Sequence, residues 1–451
     1  MSGRFPAEEV VAKVVERAVL VGIDRGRLDW PLEESLEELA RLTDTAGMVV
    51  VGSVTQKLDR PHPRTFIGKG KAEEVAELVR THDATVVIFD DDLTPSQQAN
   101  LEDAIPKVNI LDRTALILDI FALHATSREG KLQVDLARLE YVLPRLKGMW
   151  GHLEAERLGG GRGARFGAGE SQLESDRRMT RHRIGELKRE LKHVSSERNL
   201  QRKSRARSGI YRVVLVGYTN AGKSTLLNRL TDAGVLVEDM LFATLDSTTR
   251  RLELRDGREV TLTDTVGFIN KLPHGLVEAF KSTLDEVTEA DLLLQITDAS
   301  HPQREAQMQA VREVLAEIGA SSRPYVLVFN KADAIDAEDR STLEARYQGA
   351  VFLSALDGTG VERLLERIAD EASRGSVTIT VLVPYTRGDL VKLAHERGQI
   401  LSEHHVEEGT QLVLRVPGEL APRFAGFESG GNREAMPALD PAEGESDDAS
   451  S

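Results

Sequence analysis

Eight consecutive residues constrain this chain more than anything else in it: Gly217-Tyr218-Thr219-Asn220-Ala221-Gly222-Lys223-Ser224, followed by Thr225. The pattern G-x-x-x-x-G-K-S stands after the apolar run Val213–Val216 and before the helix-forming run Thr225-Leu226-Leu227. A strand, a glycine loop and a helix start in that order turn backbone N–H groups toward a common point and make a cradle for phosphate. Lys223 is expected to reach the β- and γ-phosphates and Ser224 to ligate Mg²⁺ through its hydroxyl.

Three further boxes follow in order, each after an apolar strand. Asp264-Thr265-Val266-Gly267 comes after Val260–Leu262 and puts a carboxylate where it can hold Mg²⁺ through water, while the Gly267 N–H is free to approach the γ-phosphate. Asn330-Lys331-Ala332-Asp333 comes after Tyr325–Phe329. A carboxylate at Asp333 can accept from the N1–H and 2-amino group of guanine, donors that adenine lacks, so the boxes imply a guanine nucleotide. Ser354-Ala355-Leu356 ends the run Val351–Leu353 and is expected to meet the O6 edge of the base. Lys223 and Gly267 are expected nearest the transferred phosphoryl group. A threonine between the first two boxes should sense the γ-phosphate, and the pattern leaves Thr244, Thr248 and Thr249 open. Phe268 stands where many enzymes of this kind place a water-orienting glutamine; it cannot polarise water, so intrinsic hydrolysis should be slow. Asn220 is a candidate ligand for a K⁺ ion that would stand in for an arginine finger.

The rest of the chain reads as α/β and multidomain. Val19–Ile23, Met48–Val51, Val86–Phe89 and Val108–Leu111 alternate with helical stretches Leu32–Arg41, Lys71–Arg80 and Thr94–Asp103, the signature of a parallel sheet covered by helices. Leu132, Leu136, Leu139, Leu143 and Leu146 recur at spacings of 4 and 3, and Leu173, Ile184, Leu187, Leu191 and Val194 make a second such seam. An antiparallel helical hairpin with a glycine-rich tip is the expected result, with Pro144 ending the first helix. Ser376–Val383, Thr386–Arg397 and Gln411–Val416 suggest a small βαβ-like unit. The expected division is an N-terminal α/β domain (1–125), a basic hairpin (126–207), a nucleotide-binding domain (208–375), a small C-terminal α/β domain (376–425) and a disordered acidic tail (426–451).

Charge is unevenly placed. The chain carries 58 Lys and Arg against 73 Asp and Glu, a net −15, yet residues 157–207 hold fifteen basic and six acidic residues and are therefore +9. That asymmetry points to a polyanionic partner for the segment. Arg157, Arg162, Arg165 and Phe166 in the tip loop, with Arg177 and Arg178, are the candidate RNA contacts, by phosphate pairing and stacking. The acidic remainder argues against coating DNA by bulk charge. The absence of cysteine excludes disulfides, thiol catalysis and Cys-ligated metals. No run of 18 apolar residues marks a membrane segment, and a cytoplasmic location is expected. Gly68-Lys69-Gly70-Lys71 reads as a turn before a helix, and His404-His405 lacks metal-site spacing.

The motifs resemble the HflX family of translational GTPases, within the Obg–HflX group. The resemblance runs through Phe66–Glu74 (FIGKGKAEE), Leu111–Ala122 (LDRTALILDIFA), Arg128–Gln133 (REGKLQ), Gly159–Arg178 (GGGRGARFGAGESQLESDRR), GYTNAGKST, LFATLD and DTVGF. It implies a monomeric GTPase that binds the large ribosomal subunit, is stimulated there, and splits or rescues stalled or idle ribosomes, with the N-terminal domain and hairpin on ribosomal RNA. It also implies Phe242-Ala243-Thr244-Leu245-Asp246 as a GTP-contacting segment, with Thr244 as the second Mg²⁺ ligand beside Ser224 and, with Lys223 and Gly267, next to the transferred phosphoryl group. Ser247, Arg162 and Ala168 depart from the usual family residues. Nucleotide binding by the N-terminal domain itself finds little support. Two rivals remain: a GTP-gated RNA-binding assembly or silencing factor with little turnover, and an RNA-remodelling ATPase, against which Asp333 argues.

Overall fold

The computed structural model describes residues 15–26, 30–146, 168–207, 210–231, 241–242, 244–271, 273, 281–374, 376–418 and 420–428. The candidate RNA contacts Arg157, Arg162, Arg165 and Phe166, the candidate nucleotide contact Ala243 and nearly all of the expected tail lie outside these residues.

Four parallel strands, β1 (Arg17–Asp24), β2 (Val49–Lys57), β3 (Val86–Phe89) and β4 (Asn109–Asp112), form the first sheet in the order β2-β1-β3-β4. β1 and β3 are buried on both faces, as their unbroken apolar sequences require. Helices α1 (Leu32–Thr45), α2 (Lys69–Thr81) and α3 (Pro95–Ala104) cross between the strands. Gly68 is the N-cap of α2, and Thr94 with Gln97 forms a capping box on α3. α4 (Arg113–His124) is buried along most of its length because TALILDIF is apolar apart from Thr114 and Asp119. It starts on the Asp112 carboxylate, which accepts from Ala115 N–H at 2.8 Å.

α5 (Arg128–Val142) follows after three residues and ends two residues before Pro144. The long helix α6 (Ala168–Arg207) spans 40 residues and is tied to α5 by Lys188 and Glu140, 2.8 Å apart. Leu187, from the second apolar seam, is fully buried. Arg177 is half-buried and Arg178 exposed on the same helix.

The second sheet has six strands in the order β10-β9-β8-β5-β7-β6. These are β5 (Tyr211–Gly217), β6 (Thr248–Glu253), β7 (Glu259–Asp264), β8 (Leu292–Asp298), β9 (Tyr325–Asn330) and β10 (Val351–Phe352). Only the β6–β7 pairing is antiparallel. Helix α7 (Lys223–Thr231) begins where the glycine loop after β5 ends.

Residues from 372 onward belong to a separate compact unit. Here the expected βαβ arrangement is corrected. β11 (Ser376–Val383), a helix (Gly388–Arg397), β12 (Gln399–Val406) and β13 (Gly409–Pro417) build an antiparallel sheet in the order β11-β13-β12. β12 escaped the reading because QILSEHHV lies on a sheet edge, half-buried at best, and shows no apolar run.

Candidate functional site

The glycine loop is held by side chains from other boxes. Gly222 has φ +89°, and a Cβ there would lie 2.1 Å from Asn330 Nδ2. That nitrogen donates to the Ala221 carbonyl at 2.8 Å, while Asn330 Oδ1 accepts from Ala355 N–H at 2.9 Å. One buried amide thus joins the first, third and fourth boxes. Asn220 takes φ +57°, a left-handed conformation that asparagine tolerates, and its side chain is exposed. A Cβ on Gly217 would meet the Ile296 carbonyl at 2.2 Å, so the loop can leave β5 only through glycine.

Lys223 is buried, and its ammonium donates to the carbonyls of Tyr218 at 2.9 Å and Gly217 at 3.2 Å. Burial pulls its pKa down to about 8, against the upward pull of the Asp264 carboxylate. A Cβ on Gly267 would fall 2.8 Å from Thr219 Cγ2 and 3.1 Å from Lys223 Nζ, so the second box approaches the loop only as glycine.

Three oxygens converge beside Lys223. Ser224 Oγ donates to Asp264 Oδ2 at 2.6 Å, Thr244 Oγ1 donates to the same atom at 3.0 Å, and the two hydroxyls are 2.8 Å apart. Of the three threonines left open, Thr244 is the one in this triangle; the Thr249 hydroxyl pairs with Thr263 at 3.0 Å and Thr248 opens β6. Burial pushes the Asp264 carboxyl up, and its Oδ1 is buried with no hydrogen-bond partner. Two hydroxyls and a carboxylate with an unsatisfied buried oxygen are hard oxygen donors, and they fit Mg²⁺.

In the third box, Asp333 is exposed. Lys331, at φ +59°, is paired with Asp298 at 2.7 Å, and Ala332 N–H donates to Leu353 O at 3.1 Å. The Arg229 guanidinium holds the carbonyls of Ala355 and Leu356, and the Leu356 side chain projects into solvent.

Several residues expected at the nucleotide turn their side chains elsewhere. Thr265 Oγ1 donates to Leu215 O at 2.8 Å, tying β7 to β5, and Val266 is part of the apolar core. Phe242 packs edge-on against Phe121 of α4, ring centres 4.7 Å apart, and Leu245 is buried in the same cluster. The Asp246 carboxylate binds Thr126 and Ser127 at the start of α5, whose hydrogen bonds outweigh burial and hold it below the usual carboxylate range. For these residues only the backbone is left to face a nucleotide, because neighbouring apolar surface and N–H donors claim the side chains. Phe268 is buried in the core, and its carbonyl accepts from Thr219 N–H at 2.8 Å. Its side chain has no polar atom to offer a water.

The sequence reading missed a buried ionic network between the first sheet and the loop. Tyr218 donates its phenol to Glu38 of α1 and accepts from Asn270 N–H at 2.6 Å. Glu38 and Asp90 both pair with Arg113, the latter at 2.7 Å, and Lys271 reaches Asp90 at 2.5 Å and Asp91 at 3.0 Å. Despite burial, the two carboxylates hold the Arg113 guanidinium more firmly protonated than usual. The one signal was a lone arginine opening an otherwise apolar helix.

Comparison with known proteins bears on this geometry. Residues 33–122 match a family model described as GTP-binding GTPase N-terminal, residues 124–205 one described as GTP-binding GTPase Middle Region, and residues 212–331 one described as 50S ribosome-binding GTPase. GTPase HflX of Caldanaerobacter subterraneus subsp. tengcongensis is 46% identical over 419 residues, 93% of this chain and 95% of that protein. The chain belongs to the HflX family of GTPases. It binds guanine nucleotide and hydrolyses GTP. The Escherichia coli GTPase HflX is 43% identical over 405 residues, covering 89% of this chain and 94% of its own. Among solved structures, a GTP-binding protein from the archaeon Sulfolobus solfataricus in complex with GDP is 26% identical, covering 80% of this chain and 99% of that one, with a TM-score of 0.42. Among the described residues of this HflX-family chain, no helix is long and apolar enough to cross a membrane.

Proposed function

We propose that this HflX-family GTPase is a monomeric cytoplasmic factor that binds the large ribosomal subunit and splits or rescues stalled or idle ribosomes in a GTP-dependent manner. The observation that carries the reading is the direct attachment of the segment around Thr244 to α5, the first helix of the α5–α6 pair whose second helix lies in the +9 region. A basic arm joined to the γ-phosphate sensor is what a nucleotide-gated RNA binder requires.

In this reading the loop Gly217–Ser224 and Thr225 cradle the phosphates, Lys223 neutralises the β- and γ-oxygens, and Gly267 donates its N–H to the γ-phosphate. Asp333, Lys331, Ala332 and Asn330 with Ser354-Ala355-Leu356 hold the guanine. Mg²⁺, held by the Ser224 and Thr244 hydroxyls and through water by Asp264, would neutralise charge developing across the transferred group. Asn220, exposed at the loop, is the position from which K⁺ would be held. Because Phe268 leaves the attacking water unoriented, intrinsic turnover is slow and ribosomal contacts complete the site. Arg177 and Arg178, with the tip-loop residues Arg157, Arg162, Arg165 and Phe166, contact ribosomal RNA.

Co-sedimentation of the full chain with large subunits, with a non-hydrolysable GTP analogue or with GDP, tests the gating. Retention with the analogue and loss with GDP supports the reading; equal retention with both contradicts it. Tight analogue-dependent retention without turnover would favour an assembly or silencing role.

A further inference from the structure

The Asp246 carboxylate is taken up by the residues at the start of α5. Its Oδ2 accepts from Thr126 N–H at 3.0 Å, Thr126 Oγ1 at 2.8 Å and Ser127 N–H at 2.7 Å, and its Oδ1 accepts from Ser127 Oγ at 2.5 Å. Ser127 is the N-cap of α5, and its Oγ in turn accepts from Gly130 N–H at 2.8 Å. A Cβ on Gly130 would lie 2.5 Å from Asp246 Oδ1, so the carboxylate occupies a notch that only glycine leaves open. An anion at the first turn of a helix is also favoured by the helix dipole.

Asp246 is two residues from Thr244, whose hydroxyl stands in the triangle with Ser224 and Asp264. On the other side of Thr244, Phe242 rests on Phe121 of α4, and Leu241 N–H donates to Thr45 Oγ1 at 3.4 Å. The segment is therefore pinned before and after Thr244 to the helices outside the nucleotide-binding sheet, and the last pin is the start of α5.

We propose that Asp246 is a positioning residue that delivers Thr244 to the γ-phosphate side of the site by locking its segment onto the α4–α5 junction. Binding of GTP and the placement of α5 are then two ends of one equilibrium: whatever moves the start of α5 withdraws Thr244, and whatever orders Thr244 fixes α5. GDP, which offers no γ-phosphate, is indifferent to this link. This link rests on the proposed role of Thr244 as γ-phosphate sensor, not on what the basic helices contact, so it can be probed without ribosomes.

The test compares full-length wild type with Asp246→Ala, Asp246→Asn and Gly130→Ala. It measures affinity for fluorescent GDP and for a fluorescent non-hydrolysable GTP analogue, kcat and KM for GTP, and thermal melting. Asp246→Ala should keep GDP affinity within about twofold and lose about tenfold for the analogue and in kcat, the size expected when a charged hydrogen-bond set is removed. Asp246→Asn retains a carbonyl acceptor for the Thr126 and Ser127 N–H groups and should fall between. Gly130→Ala removes no polar group and favours helix, yet its methyl should expel the carboxylate and reproduce the selective loss. It decides the matter even if Asp246→Ala does not fold. An equal loss for GDP and analogue, or no change for either in folded Gly130→Ala, would overturn the proposal.

Discussion

Gly222 and Asn330 claim the same space: the amide nitrogen of Asn330 stands 2.1 Å from where a Gly222 Cβ would be. The phosphate loop therefore closes only because one residue has no side chain and the other has a short amide that bonds on both sides. Gly222→Ala must push Asn330 out and strain a backbone at φ +89°. It should lower GDP and GTP affinity alike by about a hundredfold, the outcome of losing two buried hydrogen bonds and a preformed loop. Fluorescent-nucleotide titration measures this; near-normal affinity would contradict the proposed cradle.

Base selection should rest on the exposed Asp333 carboxylate. Asp333→Asn replaces an acceptor pair with one acceptor and one donor, so guanine loses a charge-assisted contact while xanthine, with a carbonyl in place of the 2-amino group, gains a hydrogen bond from the Asn amide N–H. GTP affinity should fall by roughly a hundredfold and xanthosine triphosphate should become the better ligand. Competition binding with the two nucleotides reads the reversal directly. Unchanged preference for guanine would remove Asp333 from the site.

Ser224 and Thr244 touch the same Asp264 oxygen but should serve different states. Ser224→Ala is expected to raise the Mg²⁺ concentration needed for both GDP and GTP binding. Thr244→Ala should raise it for the GTP analogue alone, by about tenfold for one lost oxygen ligand. Nucleotide binding across a Mg²⁺ titration separates them, and identical behaviour of the two variants would argue against distinct roles.

The Arg113 network links the first sheet to the phosphate loop through Glu38 and Tyr218. Arg113→Ala leaves the buried Asp90 and the nearly buried Glu38 without their shared cation. Breaking such a network should cost roughly 3–5 kcal/mol of stability, whereas Arg113→Lys keeps the charge but not the two-pronged geometry and should cost less. Thermal melting of the variants checks the order; a wild-type melt for Arg113→Ala would show the pairs to be inconsequential.

What could be read in the sequence was local. The phosphate loop, the Asp264 box and the Asn330–Asp333 box each occupy a few contiguous residues that follow apolar strands, and β1, β3 and β5 are announced by the apolar runs Val19–Ile23, Val86–Phe89 and Val213–Val216. What could not be read was the pairing of distant polar side chains. Glu38 and Tyr218 are 180 residues apart and Asp246 and Ser127 are 119 apart, and nothing in either neighbourhood names its partner. The motif around Thr244 likewise gives no sign that the Asp246 side chain caps the start of a helix. β12 was missed for the opposite reason: its alternation is polar on both sides, and only pairing with β13 makes it a strand.

The most direct test of the account mixes the full chain with intact ribosomes and follows light scattering and phosphate release together. GTP should produce a loss of scattering from subunit separation with many turnovers per protein, and hydrolysis by the chain alone should be slower by at least about a hundredfold, in keeping with a site whose water is oriented from outside. Turnover that ribosomes do not stimulate, with scattering unchanged, would contradict the central claim.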